Sequence, residues 1–479
     1  MKHIKIDEQS KFLLIAILFS VLFFNNGIYM FLPFAALYVI LYYLQQPYRP
    51  GVFSVIASYH FVNIIAGVWL CSYLGKNINY RSPSQATAIV ACSVGLVFLM
   101  WPLIYIQDKI PAQTHLKLRV YAEKFSSEKV MYAYIVSYFI TSSLGSAAFG
   151  FGGLTQVIFS FVKIKWILFL LFGFICFLKN ENKKIFYLFV AFEFLSGFLS
   201  FFSDFKTVIF YLAVLTFSLV ERLNFKQVFT IVTIGVALGI FGLIWTNIKG
   251  DYRSYLNSGS TQQVVGVESN DAFNKLYDLS SRVDDEKLNG SVIQMLDRLQ
   301  YTYHFAKTID RMPSVLPFEK GGNWLSSLAY ATTPRFLNQG KSIFDATAKV
   351  RKYTGLRYLG KEQGVSFSLG YFADCFIDLG LPWMVLILAL LGWLYSRIYL
   401  YLLKNASKNM LFNYCVVCAF FMEFSALETD STMLLGRLFS NFLTFFLVIK
   451  FFFPWLMNYM SAAVEKKEPV ILHDPKLAE

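Results

Sequence analysis

Charge is scarce in this 479-residue sequence: Asp, Glu, Lys and Arg make up only 15% of it, where a soluble chain carries about a quarter. That shortage excludes an ordinary soluble enzyme. Cysteine is scarce as well, and the six present offer no disulfide framework. Cys71, Cys92, Cys176, Cys415 and Cys418 fall within apolar runs, and Cys375 is expected near a helix mouth. Cys415 and Cys418 form a CxxC, but inside an apolar helix that spacing reads as packing rather than redox chemistry. Only five histidines occur, and none has metal-ligand spacing with another His or Cys. No P-loop and no GxGxxG between strand and helix is present, so nucleotide chemistry has no motif to rest on. The opening run Phe12–Phe24 follows Lys2, Lys5 and Lys11 but has no small-residue cleavage site, and an uncleaved first helix is expected.

What the sequence has instead is apolar and aromatic: 56% hydrophobic residues, 51 Phe and 29 Tyr. Apolar runs of roughly 17–25 residues, broken by short polar stretches, predict an all-α polytopic membrane protein with about a dozen transmembrane helices. The expected spans are 12–25, 28–44, 52–74, 86–106, 130–148, 164–178, 185–203, 207–221, 227–248, 380–402, 410–427 and 437–458. With the N-terminus in the cytoplasm, one set of loops collects Arg49, Lys109 to Lys129, Lys179 to Lys184, Arg222, Lys226, Lys404, Lys408 and the basic tail. The opposite short loops hold Lys76, Arg81 and Lys206, with Lys163 and Lys165 expected at the same surface. The positive-inside rule then puts both termini inside and 249–379 outside. It also accounts for the net charge of +13 without a nucleic-acid partner. The organisation reads as spans 1–248, a large extracytoplasmic loop 249–379, spans 380–460 and a cytoplasmic tail 461–479. Around Gly145–Lys165, a Gly-rich stretch and an amphipathic piece leave two options open, an interfacial helix or a re-entrant segment.

The loop holds the residues that suit chemistry. From Asp297 through Glu362 it carries eleven Lys/Arg against five acids, on a side where retention gives positive charge no purpose, so an anionic partner is expected. In a predicted helix Ser291–Arg311, Asp297, Tyr301, His304, Thr308 and Arg311 are spaced to share one stripe. His304, the only His of the loop, could act there as a general base with Asp297 beside it; a solvated helix face is the plain alternative. Pro334 holds Thr333 extended, so Arg335 is offered from a stiff turn, and with Lys341 it would suit a pyrophosphate. Lys206 and Arg437, at outer helix ends near the turn Glu428-Thr429-Asp430, are close enough in sequence topology to join that site. Glu193 and Glu423 lie inside apolar runs, where a structural partner is expected. Glu428-x-Asp430 is the one acidic pair with a metal-binding look, and no metal or cofactor is expected.

Asp297-Arg298, Pro313, Gly321-Gly322-Asn323-Trp324-Leu325, Thr333-Pro334-Arg335-Phe336-Leu337 and Lys341 together resemble the bacterial O-antigen, or oligosaccharide repeat-unit, polymerase family (Wzy type). Ser366 through Gly380 is similar to that family's re-entry into the membrane. Ser203–Lys206 is similar to its small-residue-Arg motif, with Lys206 in place of the Arg, and the usual ending of the Pro-Arg motif is here Asn338-Gln339-Gly340-Lys341. The resemblance implies a GT-C-like glycosyltransferase of the inner membrane. It would join undecaprenyl-pyrophosphate-linked repeat units at the outer leaflet, with a flippase and a chain-length regulator of the same pathway as partners. Arg298, Arg311, Arg335, Lys341, Lys206 and Arg437 would bind pyrophosphate or glycan, and His304 or a neighbouring carboxylate would orient or deprotonate the acceptor hydroxyl. Two other readings share these features. An O-antigen ligase would use the same donor, and a flippase the same cationic cavity, although no internal repeat supports a transporter.

Overall fold

The computed structural model describes residues 18–19, 21–22, 24–107, 109–147, 155–198, 205–221, 225–257, 266–283, 285–333, 344–358 and 366–462. Among these, the chain is helical throughout, with one isolated bridge between Phe125 and Ser461. Among the described residues, six helices are long and apolar enough to cross a membrane: Gly27–Leu44, Val52–Tyr73, Gln85–Gln107, Val157–Lys179, Met384–Asn405 and Ser431–Phe451. In chain order, these are α1 (Phe31–Leu44, after a 3₁₀ turn), α2 (Val52–Tyr73), α3 (Gln85–Gln107), α6 (Thr155–Lys179), α16 (Met384–Asn405) and α18 (Ser431–Phe451). Between them lie α4 (His115–Glu123), α5 (Ser127–Ala147), α7 (Lys183–Ser196), α8 (Phe205–Leu219), α9 (Phe225–Leu256) and α17 (Met410–Phe421), with α19 (Phe453–Met460) last. Helices thus form over the other described spans too, but α7, α8 and α17 are shorter than the roughly 20 residues a crossing needs.

Packing follows the small residues. The longest helix contact is α3 against α16, where Gly95 and Gly392 face the partner helix so closely that a Cβ on Gly392 would collide with the Leu99 carbonyl. At the centre, every residue of α17 from Leu411 to Phe421 is buried, as expected of a helix apolar on all sides. The CxxC cysteines sit there as packing, and Cys375, expected near a helix mouth, is fully buried as well.

Two span boundaries move. From Thr155 on, the stretch 154–161 is no separate piece but forms the first turns of α6; 148–154 lie outside the described residues. Lys163 and Lys165 are consequently inside the bundle rather than at its surface. Each is neutralised: Lys163 pairs with Glu423, and Lys165 Nζ lies 2.9 Å from Glu193 Oε2, whose other oxygen accepts from Tyr134 Oη at 2.6 Å. The last span begins at Ser431 rather than near 437, with Asp430 as its N-cap.

The polar segment folds into short helices at one end of the bundle: α10 (Ser269–Ser281), α11 (Asp285–Leu299), α12 (Thr302–Arg311), α13 (Gly322–Thr332), α14 (Ala346–Thr354) and α15 (Tyr371–Leu379). They rest on the helices below, α11 on α2 and α9, α12 on α3, and α13 on α18.

Candidate functional site

The expected helix Ser291–Arg311 is two helices, and the cause lies far away in sequence. Asn63 on α2 donates from Nδ2 to the Leu299 carbonyl at 2.9 Å, and its own carbonyl accepts from Tyr301 N at 3.4 Å. This caps α11 and lets the chain turn before α12. The single stripe is therefore broken. Asp297 acts on His304 through its charge alone; its direct partners are Arg81 and Gln300 Nε2, which donates to it at 2.7 Å. Arg81 in turn lies over the Tyr303 ring, 4.1 Å from its centroid.

His304 and Thr308, expected on a solvated or catalytic face, are buried. His304 Nε2 is 3.0 Å from Tyr358 Oη, and Nδ1 is buried with no hydrogen-bond partner among the described residues. Burial pushes the His304 pKa down to about 4, against a modest opposing pull from Asp297. The ring is neutral at physiological pH and a weak base. Burial likewise pushes Tyr358 up to about 12. Arg311, at the far end of α12, packs its guanidinium against Gly355 beyond α14. Arg335 and Lys341 lie outside the described residues.

Cations gather at a different place. Phe205, the first residue of α8, stacks on Phe198 with ring centroids 4.4 Å apart and meets Trp245 of α9 edge-on at 5.6 Å. Tyr252 Oη donates to the Phe198 carbonyl at 3.2 Å. This aromatic cluster seats Lys206 beside the stretch of α9 that carries Lys249 and Arg253, one turn apart, and α11 packs on α9 to bring Arg298. The proximity is felt electrostatically. Burial and then the charges of Arg298, Arg253 and Lys206 lower the Lys249 pKa to about 8.

A carboxylate stands close to Lys206 and Arg298 of this group. Glu428, in the connection leading to α18, has its pKa raised by burial, while Lys206, Arg298 and Arg437 pull the other way. Arg437 is shared, its Nε lying 3.5 Å from Glu423 Oε1. Burial and the Glu428 charge also raise the Tyr301 pKa, and the Tyr301 ring sits 5.4 Å from that of His304. Tyr301 thus borders both the cationic cluster and the His304–Tyr358 pair. Gly370 allows this closeness: at φ +82°, it lies where an added Cβ would come within 2.7 Å of the Leu427 carbonyl and 3.3 Å of Tyr301.

The connection holding Glu428 is fixed by its other acid. Asp430 Oδ1 caps α18 by accepting from Thr432 N at 2.7 Å, and Oδ2 meets Lys349 Nζ at 2.8 Å. Lys349 also reaches Asp374 Oδ1 at 2.8 Å, while Asp374 Oδ2 accepts from Ser431 N at 2.8 Å. Burial and the Asp374 charge raise the Asp430 pKa to about 6. Asp378, one turn along α15, accepts from Asn323 N at 2.9 Å and Trp324 N at 2.8 Å. Glu428 and Asp430 therefore belong to different clusters, and the acidic pair does not act as one ligand set.

The sequence pointed to Lys206, Arg298 and Arg437 and missed Lys249, Arg253 and the counter-charge role of Glu428. The signal for the first two was present: two cations at i and i+4, directly after an apolar run. Comparison with family models, curated proteins and solved structures finds no match to this chain.

Proposed function

We propose that the chain is a membrane glycosyltransferase that polymerises oligosaccharide repeat units carried on lipid pyrophosphate. The observation that carries this reading is the gathering of Lys206, Lys249, Arg253 and Arg298, from three helices, with the carboxylate of Glu428 close to Lys206 and Arg298. Such an excess suits a diphosphate, which arginine grips through its planar fork and lysine as a point charge. The acceptor hydroxyl oxygen attacks the anomeric carbon of the donor glycan. The bond from that carbon to the lipid pyrophosphate breaks, and the departing diphosphate takes the electron pair. Cations that hold it more tightly as its charge grows lower the barrier, by a few kcal/mol for each well-placed group. The hydroxyl proton passes to Glu428, whose burial makes it a better base than a free carboxylate. His304, neutral and held by Tyr358, orients the acceptor alongside Tyr301.

In this reading, the chain is a GT-C-like protein of the bacterial inner membrane with about twelve spans. Both termini are cytoplasmic, and 249–379 is periplasmic, where undecaprenyl-pyrophosphate-linked donor and acceptor meet it. Arg335 and Lys341 join the diphosphate site on the strength of the sequence motif alone. The test is deletion of the gene, followed by gel analysis of surface glycan. Single repeat units still attached to their final acceptor are the expected product. Full-length chains would overturn the reading, and long unligated lipid-linked chains would make the protein a ligase instead.

A further inference from the structure

At the opposite end of the bundle, a cavity of about 510 Å³ opens between the residues that follow α3 and the turn from α16 to α17. The 23 residues of α3 separate it from the Glu428 site by about 35 Å at 1.5 Å per residue, close to the roughly 30 Å of a bilayer's apolar core. Lys109, Lys404 and Lys408 line it together with Tyr121 and Ser407, over apolar walls that include Leu400 and Leu403. No carboxylate lines it among the described residues.

Both lysine-bearing turns are held in place from beneath. Buried Arg49 donates through Nη1 to the Gln107 carbonyl (2.5 Å) and Oε1 (2.9 Å), and through Nη2 to the Ile110 carbonyl (3.0 Å); this fixes the chain on either side of Lys109. Buried Asn413 donates to the carbonyls of Leu403 (2.9 Å) and Ser407 (3.0 Å) and accepts from Ser407 Oγ (2.7 Å), which fixes the turn that carries Lys404 and Lys408. Membrane retention asks only for positive charge in a loop. It does not ask for three lysines on pinned turns around one cavity with an apolar floor.

We propose that this cavity binds an anionic phosphate group, carried as the headgroup of a membrane phospholipid whose acyl chains follow the Leu400–Leu403 wall. Basic pockets between membrane helices recognise such headgroups, each nearby cation adding measurably to affinity. The purified full chain in neutral detergent, titrated with phosphatidylglycerol and followed by native mass spectrometry, tests this. Lys404→Gln/Lys408→Gln is expected to weaken retention by about 30-fold, and Lys404→Arg/Lys408→Arg to keep it. Lys183→Gln/Lys184→Gln, at the same end of the bundle but outside the cavity, is expected to bind as the unaltered chain does. Equal retention by the Lys404/Lys408 glutamine variant, or equal retention of phosphatidylcholine, would overturn the proposal. Saturable binding of inorganic phosphate with the affinity of the lipid would overturn its assignment to a lipid.

Discussion

Burial raises the Glu428 pKa while Lys206, Arg298 and Arg437 pull it down, a balance that suits the general base of the proposed reaction. Glu428→Gln keeps its shape and removes its basicity. It is expected to cut polymerisation by about 10²–10⁴-fold with unchanged membrane abundance, measured as glycan ladder against immunoblot. A ladder of normal intensity would remove Glu428 from the proton path. His304 makes a different prediction. An unfolded His takes up a proton near pH 6.5, whereas the buried ring resists until about 4. Between those values the unfolded chain binds more protons, so stability falls as the pH drops from 7 towards 4. His304→Gln is expected to flatten that acid loss, which is on the order of 2 kcal/mol between pH 7 and pH 5, in thermal unfolding followed at those two values. At this scale the sequence was partly legible. Residue type flagged Arg298, Lys206 and His304. The burial that turns His304 from a candidate base into a neutral, weakly basic ring depends on Tyr358 and α3, which no local pattern reveals.

The elements that place Glu428 are α15 and α18, joined through Lys349. A lysine shared by two buried aspartates is costly to remove, because two like charges stay behind without a partner. Lys349→Met is expected to destabilise by about 3–5 kcal/mol, and adding Asp374→Asn should recover part of that, both measured by denaturation in detergent. Gly370 offers a gentler lever. Gly370→Ala forces a side chain into positive φ with extended ψ, at about 1–3 kcal/mol, and presses on the Leu427 carbonyl next to Glu428. Activity is expected to fall more steeply than stability, and the ratio of glycan ladder to folded protein is the measurement. The extra helix break at Gln300–Tyr301 was illegible for a plain reason. The repeat of apolar residues runs on through 291–311, and what stops the helix is Asn63, which belongs to another helix. Among the described residues, helix existence was readable where apolar runs were long, while the ends moved, as at Thr155 and Ser431.

Over the whole molecule, charge is divided between two ends of an apolar bundle. One end carries the Glu428 cluster, the other Lys109, Lys404 and Lys408, and long helices such as α3 and α16 run between the two levels. The apolar, helical character was fully legible because composition states it. The convergence of Lys206, Lys249, Arg253 and Arg298 was not, because it depends on an aromatic cluster that joins the start of α8 to α9. That convergence is the claim on which everything functional depends. The direct measurement is to supply the purified full chain with undecaprenyl-pyrophosphate-linked repeat units and follow both glycan length and released lipid pyrophosphate. The expected result is a ladder with one lipid pyrophosphate released per linkage, absent from Lys249→Ala/Arg298→Ala. A ladder undiminished in that variant, or no elongation by the unaltered chain, would contradict the account.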